Sequence, residues 1–196
     1  MEKSANIRRK TFVAREDLLN RVAKVAEKQG CSLFELVNDL FQLVLVSDEL
    51  NFSLKCVVDE CRVLEVAKRS GHVLGSERLL YEMVELAYKQ DEAGLLKAWF
   101  DSGVLFASNY FTVGDQFLFE EFKTDLLAFT WNAPEFIIES SGNKLFVKVT
   151  SPRFTEVYTF LFASFLMGAL ESFGYKLGKK EVSKGIIRLE TVRSVT

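Results

Sequence analysis

The chain has little of the residue types that build linkers, metal sites and catalytic triads. Only two prolines occur in 196 residues, which excludes long proline-rich linkers. A single histidine, His72, makes a histidine-based metal site or a Ser-His-Asp triad difficult to assemble. The cysteines show no C-x-x-C spacing, so they give neither a disulfide framework nor a zinc site. We expect Cys31, Cys56 and Cys61 to be reduced, buried thiols, and we expect no metal and no cofactor.

Long uncharged segments are also missing. The longest runs from Val157 to Leu170, and its fourteen residues are fewer than the roughly 20 that a transmembrane helix needs. The charged start, MEKSANIRRK, lacks the apolar stretch of a secretory signal. P-loops and GxGxxG turns, which bind phosphates, do not occur. We therefore expect a cytoplasmic protein that has no membrane partner and is not an enzyme.

Hydrophobic and charged residues are plentiful, at 48% and 27% of the chain, as in an ordinary globular protein. The net charge is −2, but it is distributed unevenly. Residues 1–30 contain eight Lys or Arg against four acidic residues, a local charge of +4 that leaves −6 on the other 166 residues. A basic start on an acidic protein predicts a local contact with nucleic acid.

Residues 1–48 are predicted to form one module, a short strand followed by two helices. The strand covers 8–14. The first helix runs from about Glu16 to Gln29, and Gly30 is placed to end it. Ser32 and Glu35 then have the spacing of a capping box, which predicts the start of the second helix.

This order of elements resembles the ribbon-helix-helix family of DNA-binding proteins. The resemblance covers residues 8–46, and it is carried by the basic strand Arg9–Ala14, the first helix, the Gly30 turn and the Ser32 cap. In that family two chains pair their strands into an antiparallel ribbon that lies in the major groove. The resemblance therefore implies a homodimer that binds double-stranded DNA, with Phe12 and Ala14 facing the dimer core.

The resemblance also assigns side chains to DNA. Arg9, Thr11 and Val13 share one face of the strand and would contact the bases, while Ser32 and the amides after it would hold a phosphate. The full set of predicted DNA-binding residues is Arg8, Arg9, Lys10, Thr11, Val13 and Ser32. The alternative is that 8–14 is an edge strand of one globular fold, with its basic residues on a solvated face.

Residues 49–196 are predicted to form an α/β domain for dimerisation and ligand sensing. Helices are expected at Ser53–Ser70, Ser76–Lys89, Glu92–Phe106 and Asp115–Thr130, with His72 in a turn between the first two. Two hairpins then flank a buried helix of residues 153–173, which gives a ββαββ order. The predicted fold class is α+β: an N-terminal ribbon-helix-helix, a helical segment and an antiparallel ββαββ sheet.

The segment 93–192 resembles the 4-vinyl reductase domain family, which is related to subunits of the TRAPP vesicle-tethering complex. The match is carried by Trp131–Pro134, the Phe136–Val149 hairpin, the Phe162–Phe173 helix and the last strand after Gly185. The resemblance implies a dimeric domain that holds a small, often apolar ligand. Residues 182–188 contain no cysteine, which argues against a metal there.

The abundance of phenylalanine, 18 residues, fits either a ligand pocket or simply a Phe-rich core. Trp99, Tyr110 and Trp131 are candidate pocket residues because a ring with a polar edge suits small-molecule recognition. The sequence thus predicts a dimeric DNA-binding transcriptional regulator that responds to a small apolar ligand. The alternative is a small-molecule-binding, lipid-binding or scaffold protein without DNA binding.

Overall fold

The computed structural model describes residues 10–69, 71–73, 75–111 and 118–193. These residues form seven helices and, at the C-terminal end, one four-stranded antiparallel sheet. In chain order the elements are α1 (Glu16–Gln29), α2 (Leu33–Glu49), α3 (Leu54–Arg69), α4 (Glu77–Gln90), α5 (Glu92–Ser108), α6 (Phe119–Phe129), β1 (Glu135–Ser141), β2 (Lys144–Thr150), α7 (Glu156–Ser172), β3 (Tyr175–Ser183) and β4 (Ile186–Arg193). The chain divides into two compact units, Met1–Glu60 and Cys61–Thr196, and the boundary falls within α3.

The first unit contains α1 and α2, which are joined by a short turn and bent by 102° relative to each other. α1 ends at Gly30, which adopts a left-handed φ of 71° that favours glycine. Ser32 then begins α2: its Oγ accepts from the Glu35 N–H at 3.2 Å, and its own N–H donates to the Glu35 carboxylate at 2.8 Å. The predicted helices and the predicted capping box are confirmed.

The predicted N-terminal strand is wrong for the residues that the structure describes. Residues 10–15 form no strand, and the first regular element is α1. A strand needs a neighbour to pair its backbone N–H and C=O groups, and every strand pairing in the described chain belongs to the C-terminal sheet. Phe12 instead places its ring edge-on to Phe41 of α2, with centroids 5.6 Å apart. The ribbon-helix-helix part of the fold class is therefore corrected to an α+β chain that opens with helices.

Little apolar surface is buried in the first unit. Ala26 is the one hydrophobic residue that is buried among described residues 10–60. Exposed instead are eight large apolar side chains on or just after α2, which we call the α2 apolar surface: Phe34, Leu40, Phe41, Leu43, Val44, Leu45, Val46 and Leu50. A core this small gives a helix pair little stability, and an apolar surface of this extent is typical of interaction sites.

The sheet of the second unit has the strand order β1-β2-β4-β3. Alternate side chains of the two central strands are buried: Leu145, Val147, Val149, Ile187 and Leu189. α7 is buried on nearly all sides and packs most extensively with α5 and β3. The predicted ββαββ order of the C-terminal part is confirmed.

Two glycines let α5 and α7 approach backbone to backbone. A Cβ placed on Gly103 would lie 2.0 Å from the carbonyl oxygen of Phe165, and one on Gly168 would lie 2.1 Å from that of Phe100. No other residue fits this spacing, because the obstructing atoms belong to the main chain and not to flexible side chains. The two helices thus form a closely packed pair beside the sheet.

A buried carboxylate joins α3 to α6. Asp125 accepts a hydrogen bond from Arg62 Nη1 and another from the Tyr110 hydroxyl, each at 3.0 Å. Burial and the nearby Asp125 charge raise the pKa of Tyr110, which keeps the phenol protonated as the donor. A buried charge is tolerated when it is paired and hydrogen-bonded in this way, so the cluster has a structural role.

The cysteines differ from the prediction of buried thiols. Cys31 and Cys56 are half-buried, and Cys61 is exposed. All three are free. In the part of the chain that the structure describes, no single helix combines the length and apolarity needed to cross a bilayer, although the bent pair α1–α2 meets both criteria when taken together.

Candidate functional site

The predicted DNA-binding residues separate into three groups. Arg8 and Arg9 lie outside the described residues. Lys10, Thr11 and Val13 precede α1 and are exposed, so they are accessible, but no strand aligns them on one face. Their role in base reading stays a prediction.

Ser32 sits at the exposed N-terminus of α2, where the resemblance places a phosphate. The capping box already brings the Glu35 carboxylate to this end of the helix. The Ser32 N–H bond, followed by the Ser32 side chain, holds the pKa of Glu35 below its usual value, so this carboxylate is ionised at neutral pH. A phosphate at Ser32 would therefore meet a negative charge, which makes this helix end less favourable for an anion than the resemblance implies.

A basic face on α1 was not among the residues predicted from the sequence. Arg21, Lys24 and Lys28 follow one another at helical spacings of three and four residues, which places them on one side of the helix. All three are exposed, and none forms an ion pair with any described residue. The charge count for residues 1–30 already contained these cations, and their i, i+3, i+7 spacing is the signal that identifies the face.

The second unit contains a cavity of about 520 Å³ among α4, α5, α6 and α7. Its wall is mainly aromatic and aliphatic, and the aromatic lining residues are His72, Phe106, Phe129, Trp131, Tyr158, Phe162 and Phe165. The His72 ring lies 4.9 Å from that of Phe129 and 5.8 Å from that of Phe106, between centroids. A largely apolar cavity of this size is within the range of small-molecule sites.

Three members of a polar cluster, Glu77, Asn132 and Arg153, line the same cavity, and Tyr81 completes the cluster behind it. The Tyr81 hydroxyl donates to Glu77 Oε1 at 2.6 Å, and the Asn132 side-chain amide donates to the same oxygen at 3.2 Å. Arg153 forms an ion pair with Oε2 of the same carboxylate. The main-chain carbonyl of Asn132 accepts a hydrogen bond from Ser151 Oγ at 2.6 Å, which fixes the position of this residue. Helix α4 and two loops thus bring a few polar groups together beside an aromatic wall.

The electrostatics of this cluster follow from burial and hydrogen bonding. Desolvation alone would raise the pKa of Glu77, but bonds from Tyr81, Arg153 and Asn132 outweigh it and hold the pKa below its usual value. Burial, followed by the Glu77 carboxylate, raises the pKa of Tyr81 far above its usual range. Burial likewise raises the pKa of Tyr158. At neutral pH the cluster is therefore one carboxylate anion surrounded by neutral phenols and one guanidinium.

Of the three pocket residues predicted from the sequence, only Trp131 lines this cavity. Tyr110 is held by Asp125 in the core, and Trp99 packs edge-on to Tyr158 with centroids 5.5 Å apart. His72 lies in the predicted turn and also lines the cavity. The Glu77 cluster was not predicted, because Asn132 and Arg153 lie 55 and 76 positions from Glu77 along the chain and the three share no motif.

Metal-binding groups do not converge in the described ranges, where no cluster of three His, Cys, Asp or Glu side chains could hold an ion. No protein-family model matches the sequence, and the search of curated proteins found no match either.

Proposed function

We propose that this protein is a dimeric DNA-binding regulator whose second unit holds a small ligand. The observation that carries the proposal is the basic face of α1, three cations without an ion-pair partner among the described residues, in the most basic stretch of an otherwise acidic chain. Lys and Arg side chains gathered on one surface suit the phosphate backbone of DNA, because neutralising phosphates releases bound counterions.

The charges of the two helices in the first unit suit different contacts. α2 contains acidic residues and no Lys or Arg, so it is unsuited to lie against phosphates. DNA contact therefore falls to α1 and to the basic residues before it, including Lys10. Meanwhile α2 presents the α2 apolar surface, which is best covered by the same surface of a second copy in a two-fold dimer.

Dimerisation would double the basic surface. Two copies of the α1 basic face, related by a two-fold axis, match the symmetry of a palindromic DNA site. The small core of the first unit supports this arrangement, because the apolar contacts that a single copy lacks would be supplied by its partner.

Small-molecule binding by the second unit is favoured by a separate observation. The cavity combines an aromatic wall with a few converging polar groups, which is the usual composition of a ligand site. If the cavity has a ligand but the chain has no affinity for DNA, the protein is a ligand-binding protein of another kind.

Filter binding to duplex DNA at two salt concentrations tests the proposal. We expect micromolar or tighter binding at about 50 mM salt that weakens sharply at about 200 mM. The variant with Arg21, Lys24 and Lys28 all changed to Gln should bind more weakly. Its plot of log K against log salt should be shallower by about 0.9 for each phosphate that the variant no longer neutralises.

A matched control carries the same three-charge change at exposed positions of β3 and of the turn that follows it. Lys176, Lys180 and Lys184 replaced by Gln should leave the DNA affinity and its salt slope near those of the unchanged protein. Absence of DNA binding at low salt, or an equal weakening in both triple variants, would overturn the assignment of DNA contact to α1.

A further inference from the structure

We propose that the cavity of the second unit selects organic cations, namely small primary amines with an apolar aromatic body, and that Glu77 is the residue that binds the ammonium group. The inference deepens the ligand-sensing role proposed above and rests on it. It specifies the charge of the ligand, which neither the sequence nor the composition of the aromatic wall determines.

The Glu77 carboxylate is a fixed anion at the cavity. Two neutral donors, Tyr81 and Asn132, hold one of its oxygens at 2.6 and 3.2 Å, and only 26% of the side chain is exposed. Tyr81 lies one turn further along the same helix, at a spacing that places its hydroxyl beside the Glu77 carboxylate. The carboxylate would keep its position if its cationic partner left.

Arg153 is the replaceable member of the ion pair. Its side chain is 59% exposed, and it contacts Glu77 through the carboxylate oxygen that neither neutral donor uses. Ion pairs that involve a long, exposed side chain contribute little to stability, because solvent screens the charge and the side chain loses entropy. A ligand ammonium that also gains apolar contacts inside the cavity can displace such a partner.

The aromatic wall completes a site for a cation. Ring faces attract an ammonium group through their quadrupole, most strongly when water is excluded. Arg153 is the only Lys or Arg among the described residues that line the cavity. A ligand carboxylate would therefore have one exposed guanidinium to pair with, and that guanidinium is already paired with Glu77. This arrangement disfavours anions and favours amines.

Calorimetry without DNA tests the proposal with three probes of similar shape: 2-phenylethylamine, 2-phenylethanol and 3-phenylpropanoate. We expect the amine to bind more tightly than the alcohol, and the anion to bind most weakly. Glu77→Gln should weaken amine binding by roughly tenfold while leaving the alcohol little changed, because only the charged hydrogen bond is removed. Arg153→Gln removes the competing cation and should strengthen amine binding roughly fivefold.

Glu171→Gln is the matched control, since it removes one exposed carboxylate from α7 without contacting the cavity. It should leave all three affinities unchanged. Equal binding of the three probes, or amine binding that Glu77→Gln leaves unchanged, overturns the charge selection but leaves a ligand cavity. Failure of all three probes overturns the ligand-sensing role as well, whereas the DNA-binding measurements are independent of this result. Thermal melting of each variant confirms that a weaker affinity does not come from unfolding.

Discussion

At the scale of single residues, the second unit holds two carboxylates that are stabilised in different ways. Asp125 is buried and is paired with Arg62 and Tyr110. Glu77 is less buried and depends on three donors, one of which is an exposed arginine. The first is a structural contact between helices, and the second lines a largely apolar cavity.

The lowered pKa of Glu77 predicts a specific dependence of stability on pH. A carboxyl group whose folded pKa lies below its unfolded value of about 4.5 stabilises the fold fully above that value. The stabilisation is lost as the pH falls from the unfolded value through the folded pKa, because in that range the unfolded state binds the proton more readily than the native state. We expect the melting temperature of the protein to fall more steeply than that of Glu77→Gln as the pH falls below about 5.

Thermal melting at several pH values measures this difference. Glu171→Gln serves again as the control, and its melting curve should follow that of the unchanged protein throughout. A difference in melting temperature between the protein and Glu77→Gln that stays constant at all pH values would contradict the prediction. It would show that the pKa of the Glu77 carboxyl is the same in the folded and unfolded states.

Residue-scale features were only partly predictable from the sequence. The Ser32–Glu35 cap is local, and its spacing identifies it without a structure. The Glu77 cluster joins positions 77, 132 and 153, which only the folded second unit brings together. The prediction of Trp99 and Tyr110 as pocket residues depends on their chemistry alone, and packing places both away from the cavity wall.

At the scale of elements, the contact between α5 and α7 requires glycine at two positions, because the helix backbones lie so close together. Gly103→Ala would place a methyl group on the main-chain carbonyl of Phe165 and force the two helices apart. We expect a decrease of about 1–3 kcal/mol in the free energy of unfolding, as for other over-packed cores.

Urea denaturation measures this decrease. Ser102→Ala is the neighbouring control on an exposed position of α5, and its effect should stay within about 0.5 kcal/mol. If Gly103→Ala were as stable as Ser102→Ala, the close approach of the two helices would not require a glycine at position 103.

Helices and hairpins were largely predicted because their signals are local. Apolar periodicity predicts α1 and α2, apolarity on all sides predicts α7, and turn residues predict both hairpins of the sheet. The strand predicted at 8–14 failed at residues 10–14 for a physical reason: alternation of side chains describes a strand only when another strand pairs with it. Helices satisfy their own backbone groups, and so their prediction does not depend on a partner.

At the scale of the whole molecule, the two units differ in the extent of their hydrophobic cores. The second unit has a continuous core of buried aromatic and aliphatic side chains. Among its described residues, the first unit buries only one hydrophobic side chain and exposes the α2 apolar surface. We infer that the first unit depends on a second copy of the chain.

Sedimentation equilibrium tests this dependence. We expect the protein to be a dimer, and Leu45→Glu to shift it towards monomer, because Leu45 is 63% exposed in one copy and a buried carboxylate there would oppose association. Leu105→Glu is the control, since Leu105 is 70% exposed on α5 of the second unit. A monomeric protein, or a dimer that persists in Leu45→Glu but not in Leu105→Glu, would place the interface elsewhere.

The position of Trp131 has a practical consequence. It is one of two tryptophans in the chain, it borders the cavity, and the residue is 72% exposed. Its indole is therefore an intrinsic optical reporter, whose emission shifts to the blue when a guest molecule displaces the water around it. Trp99 packs against Tyr158 and supplies a steadier background signal, so the occupancy of the cavity is visible without attaching a dye.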